Sequence, residues 1–303
     1  MAPNDTPVNA GYWYCKGELQ PENIDSKLFN HLFAAFAGVS TDTYQVTFPT
    51  GCEDKFKSFA QTVKIKNRHV KSLLSIGGET DPSVFAKMAS QPDLRQEFIA
   101  SSIHVAREFG YDGLNLSWLY PNSNDQKNNL ANLLKEWRAA ANGLLLTLAV
   151  FRSPTNYPID AIQTYLDWIN VVAYDLQTPA SSPNSTVPPA PLHNPIPLPA
   201  QIFSVDSVLD AWIDAEGVLQ PNKLVLGLPF HGRAWILEDA EKHEIFSPAK
   251  GAAPPEPILY RKIKDFIKEK RGKEVIDHSY ATQYCYVGTK WIDYDGKDII
   301  FGT

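Results

Sequence analysis

The chain has 303 residues, 44% of them hydrophobic and 20% charged, with a net charge of −6 when its seven histidines are neutral. That composition is globular rather than disordered, and a chain of this length buries about 75% of the surface its unfolded form exposes. A mildly acidic chain lacks the cationic footprint that grips phosphate backbones, so nucleic acid is not an expected partner.

Met1–Pro7 is too polar for a signal peptide, and no apolar run reaches the roughly 18 residues of a membrane span. From there, short apolar, β-branched runs recur. They are Val8–Tyr14, His31–Val39, Lys71–Ile76, Gly113–Trp118, Leu144–Val150, Trp168–Tyr174 and Lys223–Pro229. Several are near-continuous hydrophobics, which suits parallel strands covered on both faces. Helical patterns lie between them. Asp93–Phe109 sets Leu94, Phe98, Ile103 and Val105 among charges, and Gln126–Ala141 carries Leu130, Leu133, Leu134 and Trp137 on one stripe. Pro92 and Asp93 open the first helix, and Gly110 and Gly143 mark the two ends. This alternation predicts an α/β fold, either a TIM (β/α)8-type barrel or a doubly wound sheet.

Two regions break the rhythm. Pro179–Pro199, dense in proline and serine, reads as a long loop after the sixth strand. Leu237–Tyr294 has its own helix, Tyr260–Arg271, and aromatic strand-like pieces at Gln283–Tyr286 and Trp291–Tyr294. It reads as a small α+β insertion after strand 7. The expected organisation is therefore a barrel over 1–236, an insertion over 237–295 and a tail over 296–303. The basic stretch Arg261–Arg271 reads as a solvated helix face.

Cys15, Cys52 and Cys285 are an odd, sparse set without a disulfide framework. Three free thiols are expected, with a single bridge as the alternative. There is no CxxC, no Cys/His pair and no pair of histidines at i, i+4, so neither a metal nor a cofactor is expected.

The strand ends carry a family likeness. They read Gly11-Tyr12-Trp13-Tyr14, then Asn23-Ile24-Asp25 through His31-Leu32-Phe33-Ala34-Ala35-Phe36-Ala37, then Ser75-Ile76-Gly77-Gly78. Further on come Asp167 to Asp175, Leu228-Pro229-Phe230-His231-Gly232-Arg233-Ala234-Trp235, Tyr284-Cys285-Tyr286 and Trp291-Ile292-Asp293-Tyr294-Asp295. In series these segments resemble the plant class V chitinases of glycoside hydrolase family 18, over nearly the whole chain. The resemblance implies a TIM-type barrel, an extracellular or vacuolar setting and a chitooligosaccharide ligand. It also implies an acid strand with the signature DxxDxDxE, whose last three acids face one side because strand residues alternate. In that family the glutamate protonates the glycosidic oxygen and the substrate's acetamido carbonyl attacks the anomeric carbon.

Here the strand reads Asp112-Gly113-Leu114-Asn115-Leu116-Ser117-Trp118-Leu119. Only Asp112 remains; Asn115 and Ser117 replace the middle acids and Leu119 the proton donor. A positioned acid contributes about 10²–10⁴-fold, and leucine has no proton to give. The expected protein is thus a catalytically inactive relative that binds chitooligosaccharide or another N-acetylglucosamine glycan, as a lectin or a receptor ectodomain. The expected ligand-facing residues are Tyr12, Phe36, Tyr120, Tyr174, Asp175, His231, Arg233 and Trp235, with Trp13 a further stacking candidate. Each also has a structural reading, as core or as an inherited hydrogen bond. Strand alternation turns Trp118 away from Ser117 and Leu119.

His231 stands where the family usually has tyrosine, and histidine titrates near neutrality. It supports an alternative, an enzyme recruited to non-hydrolytic chemistry on a plant metabolite, using Asp112, Tyr174, Asp175 and His231. The family continues beyond the position of Thr303 with a helix, an eighth strand bearing a floor tryptophan and a last helix. Completion of the barrel is therefore expected to be absent, with self-association through the open edges. Asn4-Asp5-Thr6 and Asn184-Ser185-Thr186 are glycosylation sequons in surface segments; Asn115-Leu116-Ser117 also fits the pattern but lies in a predicted buried strand.

Overall fold

A computed structural model describes residues 7–194, 203–217 and 219–300. The chain divides into two compact units, one of residues 1–171 with 213–225 and one of 172–212 with 226–303.

In the first unit β1 (Ala10–Tyr14) and β2 (His31–Val39) pair in parallel, and a short β3 (Val46–Thr47) runs antiparallel beside β2. The chain continues through α1 (Glu53–Lys66), β4 (Lys71–Gly77), α2 (Pro82–Ser90), α3 (Pro92–Glu108), β5 (Gly113–Ser117), α4 (Asn124–Ala140), β6 (Leu145–Val150), α5 (Ile159–Tyr165) and β7 (Trp168–Val171). The chain then passes through α6 (Val205–Ile213), nearly all of it in the second unit, and returns to β8 (Leu224–Leu226), whose first two residues belong to the first. The main sheet runs β1-β2-β4-β5-β6-β7-β8, and each neighbouring pair from β1 to β7 is parallel. This is the TIM-barrel type of sheet, with seven strands of the path and no eighth among the described residues.

The near-continuous apolar runs explain the burial. Every residue of β5 and β7 is buried, as parallel strands covered on both faces require. Phe56, Phe59 and Val63 of α1, and Leu130, Leu133, Leu134 and Trp137 of α4, form the buried stripes of their helices. Ser123 caps α4 by accepting from the Gln126 amide, and Asp81 caps α2 by accepting from Ser83. Two strands fall well short of their apolar runs. β7 stops at Val171 rather than Tyr174, and β8 occupies only Leu224–Leu226 of the Lys223–Pro229 run.

The second unit holds an antiparallel sheet. Its strands are β9 (His231–Leu237), β10 (Ala249–Ala252), β11 (Ile258–Leu259), β12 (Lys273–Asp277), β13 (Thr282–Val287) and β14 (Lys290–Tyr294), with α7 (Tyr260–Lys270) between β11 and β12 and α8 (Lys297–Ile300) after β14. The order is β10-β9-β14-β13-β12, with β11 also on β9. Ile263 and Ile267 of α7 pack with Ala234, Ile258, Cys285 and Ile292. The sequence reading left residues 231–236 with the barrel. The structure places them in the antiparallel sheet, where β9 is the strand that both β14 and β10 pair with.

Three free thiols are not what forms. Cys15, following β1, and Cys52, at the N-terminus of α1, are joined by a disulfide, and both are buried; Cys285 alone is free. Their sequence separation of 37 residues gave no sign of this. The parallel β1–β2 pairing and the loop before α1 bring the two together.

Candidate functional site

The expected site residues fall into two groups, one in each unit. In the first unit β5 is sealed at Asn115 by neutral hydrogen bonds. Asn115 is fully buried on β5. Its Nδ2 donates to Ser75 Oγ at 2.8 Å, and its Oδ1 accepts from Thr147 Oγ1 at 2.8 Å and from Asn170 Nδ2 at 3.2 Å. Asn170 Nδ2 also donates to Tyr12 Oη at 3.0 Å, and Trp168 Nε1 donates to Asn170 Oδ1. Each polar atom of the Asn115 amide is thereby satisfied without a charge.

Two glycines make the approach to this strand close. A Cβ on Gly77, whose φ is +120°, would lie 2.3 Å from the carbonyl oxygen of Ser117. A Cβ on Gly78, at φ +63°, would lie 2.5 Å from the Phe36 ring. Only glycine permits both the left-handed backbone and these contacts. Ser117 is buried, and Leu119 beyond it is half-buried.

Around these positions stand aromatics. Tyr12 is 45% exposed and stacks on Phe33, with ring centroids 4.4 Å apart. Phe36 is half-buried. Tyr120 is 44% exposed and lies parallel to Phe151 at 5.3 Å. Tyr14, also exposed, and Lys16 both donate to the Glu79 carboxylate. Trp118 turns away as alternation requires: it is fully buried and stacks near Phe85 of α2. Trp13 is not a platform, because it is buried against Phe56 and Phe59 of α1.

Asp112 is engaged by its own neighbours. It precedes β5, at the end opposite Ser117, and its carboxylate is taken by Lys64 Nζ at 2.8 Å, Lys71 Nζ at 3.3 Å and the Ser72 amide at 2.9 Å. Burial pushes its pKa up, but these partners outweigh burial and hold it below the usual range. In a TIM-type barrel that end of a strand serves stability.

In the second unit the buried polar groups include charges. Asp175 adopts a left-handed backbone at φ +53°. Arg233 of β9 grips it in a fork, Nε to Oδ1 at 2.7 Å and Nη2 to Oδ2 at 2.6 Å. The remaining guanidinium nitrogen, Nη1, donates to Glu256 Oε1 at 2.6 Å. His231 Nε2 lies 3.1 Å from both Asp175 oxygens, and Tyr174 stands edge-on to the imidazole at 5.9 Å. Burial alone would raise the Asp175 pKa. The hydrogen bonds from Arg233 and His231 overcome it and lower the value to about 2. Burial, with the Asp175 charge, pushes the Tyr174 phenol up. Asp295 is pushed up to about 7, chiefly by burial, against the opposing pull of His231.

Trp235 is the clear correction to the expected set. It is fully buried, at 0% exposure, with its indole donating to Ser182 O and its ring edge-on to Trp291. Trp291 is its ladder partner across β9 and β14, so the two indoles meet inside the sheet's core. The sequence reading missed Glu256, Asn170 and the pairing of Glu79. Asn170 sat in a quoted segment, but its role depends on neighbours in two other strands, Tyr12 of β1 and Asn115 of β5. Glu256 lies between Pro255 and Pro257 with no periodic pattern to single it out. Among the described residues no group of three or more His, Cys, Asp or Glu side chains is placed to hold a metal, and no helix is long and apolar enough to cross a membrane.

A chain with this sheet, this inserted antiparallel unit and these strand ends is a member of a glycosidase family. Residues 8–301 match Glycosyl hydrolases family 18, and the chain belongs to it. It is 42% identical to a class V chitinase of Arabidopsis thaliana over 97% of this chain and 80% of that one. A Nod factor hydrolase protein 1 of Medicago truncatula is 35% identical, covering 96% and 80%. Among solved structures, a class V chitinase from Nicotiana tobaccum in complex with NAG4 superposes with a TM-score of 0.92 at 40% identity, covering 97% and 88%. A chitinase-like agglutinin from Robinia pseudoacacia gives 0.89, also at 40% identity, covering 97% and 89%.

Proposed function

We propose that this chain is a catalytically silent, sugar-binding member of its family that takes chitooligosaccharides or related N-acetylglucosamine glycans. The observation that carries the reading is β5 and its continuation. Leu119 stands where the resemblance puts the proton donor, and the Asn115 position is closed by Ser75, Thr147 and Asn170 with no carboxylate. The exposed rings of Tyr12, Tyr14 and Tyr120 support stacking on sugar faces. The agglutinin and the NAG4-bound chitinase among similar structures support the ligand class. The Cys15–Cys52 disulfide supports an oxidising, secretory setting. The two ends of the main sheet, β1 and β8, support self-association by edge pairing; a single monomeric species in light scattering would remove that part.

The reading as an enzyme recruited to other chemistry draws on the His231–Asp175 contact. It is weakened because Arg233 already occupies both oxygens of that carboxylate. Calorimetry with chitotetraose, paired with a turnover assay at high protein concentration, tests the choice. Heat of binding without product is the expected result. Product formation at a rate typical of a chitinase would end the silent reading, and stabilisation by an unrelated metabolite alone would favour the recruited enzyme.

A further inference from the structure

We propose that Asn184 is an N-linked glycosylation site, modified before the second unit closes around Thr186. Asn184-Ser185-Thr186 has the acceptor pattern, and neither Ser185 nor the following Val187 is proline. The Asn184 side chain is exposed, and the turn that carries it is fixed by its own carbonyl, which accepts from the Ala249 amide at 3.0 Å. A glycan on that amide nitrogen displaces no packed group.

The disulfide in the other unit points the same way independently. A buried Cys15–Cys52 bridge belongs to a chain folded in an oxidising compartment, which is where glycan transfer takes place. The other ordered match to the pattern, Asn115-Leu116-Ser117, is buried on β5 and has its amide fully engaged. Asn4-Asp5-Thr6 lies outside the described residues.

The timing follows from Thr186. In the folded chain it is fully buried. Its amide donates to Ser247 O, its carbonyl accepts from Phe246 N, and its hydroxyl donates to Glu244 O at 3.0 Å. Ser185 is bridged to Pro248. A transferase that must engage the threonine hydroxyl cannot reach it in this state. The acceptor is therefore competent only while residues 244–249 are not yet in place. In the transfer, Asn184 Nδ2 attacks the anomeric carbon of a lipid-linked oligosaccharyl pyrophosphate. The C–N bond forms as the C–O bond to pyrophosphate breaks; the lipid pyrophosphate leaves with the electron pair, and the amide loses one proton to base.

The test is to secrete the full chain from plant cells behind a leader and treat it with peptide:N-glycosidase in heavy-oxygen water. Mass spectrometry should find the isotope label at position 184, and Asn184→Gln, a change at an exposed side chain, should lose it. Secreted, disulfide-bonded protein with an unmodified Asn184 would overturn the site. For the timing, unglycosylated chain is offered to microsomes and the lipid-linked donor, either folded and oxidised or reduced and unfolded. Only the unfolded form should be modified. Equal modification of both forms would overturn the timing.

Discussion

The β5 strand and the Asp175 cluster treat buried polarity in opposite ways. Around Asn115 the polar groups are neutral, and amides and hydroxyls satisfy one another. Around Asp175 they are ionic, with one guanidinium shared between two carboxylates and an imidazole beside them. A neutral network can lose a member at the cost of a hydrogen bond or two. An ionic one cannot, because the charge left behind stays buried without a partner. Charge is thus absent from the hydrogen-bonded network around Asn115 and present in the second unit, where several side chains depend on it together.

The sharpest way to break this contrast is to restore the acids. Leu119→Glu with Ser117→Asp and Asn115→Asp should raise chitooligosaccharide turnover over the parent by about 10²–10⁴-fold if the rest of the machinery is intact. No gain, in a variant that folds by circular dichroism, would mean the remodelling reaches beyond this strand. Removing Arg233 probes the other side. Arg233→Met should cost about 3–5 kcal/mol in urea denaturation, because Asp175 and Glu256 lose their shared cation in a largely buried place. A cost below about 1 kcal/mol, the range of surface pairs, would show that water screens the cluster.

Reducing Cys15–Cys52, or replacing both with serine, should lower stability by about 2–4 kcal/mol, read as a shift of the urea midpoint. Gly78→Ala should cost about 1–3 kcal/mol, since its new methyl meets the Phe36 ring on a left-handed backbone. An unchanged midpoint would mean that Phe36 gives way freely.

The smallest effects are in the pH profile, and they have opposite signs. Asp175 has a folded pKa of about 2, below its unfolded value, so its contribution is present above the ordinary carboxylate pKa and is lost as pH falls towards 2. Asp295 has a folded pKa of about 7, above its unfolded value. Between about pH 4 and 7 the unfolded chain binds fewer protons there than the folded one, so stability declines as pH rises through that window. Midpoints measured from pH 2 to 8 should show both limbs. Asp175→Asn should flatten the acid limb and Asp295→Asn the other.

The strands and the longer helices were legible because parallel, doubly covered strands leave continuous apolar runs and helices leave stripes. His31–Val39 appears with the bounds its run predicts. What the sequence hid depends on distant neighbours. Trp235 shares the odd-numbered face of β9 with His231 and Arg233, and alternation alone could not show that Trp291 and Ser182 would cover it. The Cys15–Cys52 link and the grip of Arg233 on Asp175 likewise join segments whose meeting only the fold decides. Asp112 was legible as a local hydrogen-bonding group, but its lysine partners were not.

The disulfide also sets how the chain would respond to force. A molecule pulled by its two ends carries tension from Cys15 directly to Cys52, because the 37-residue separation between them is bypassed by a covalent shortcut. At about 3.5 Å per residue, roughly 130 Å of contour length stays hidden until the bond is reduced. In a single-molecule stretching record, β2 and the chain around it would be shielded from load in oxidising buffer and would yield their length only when a reductant is added.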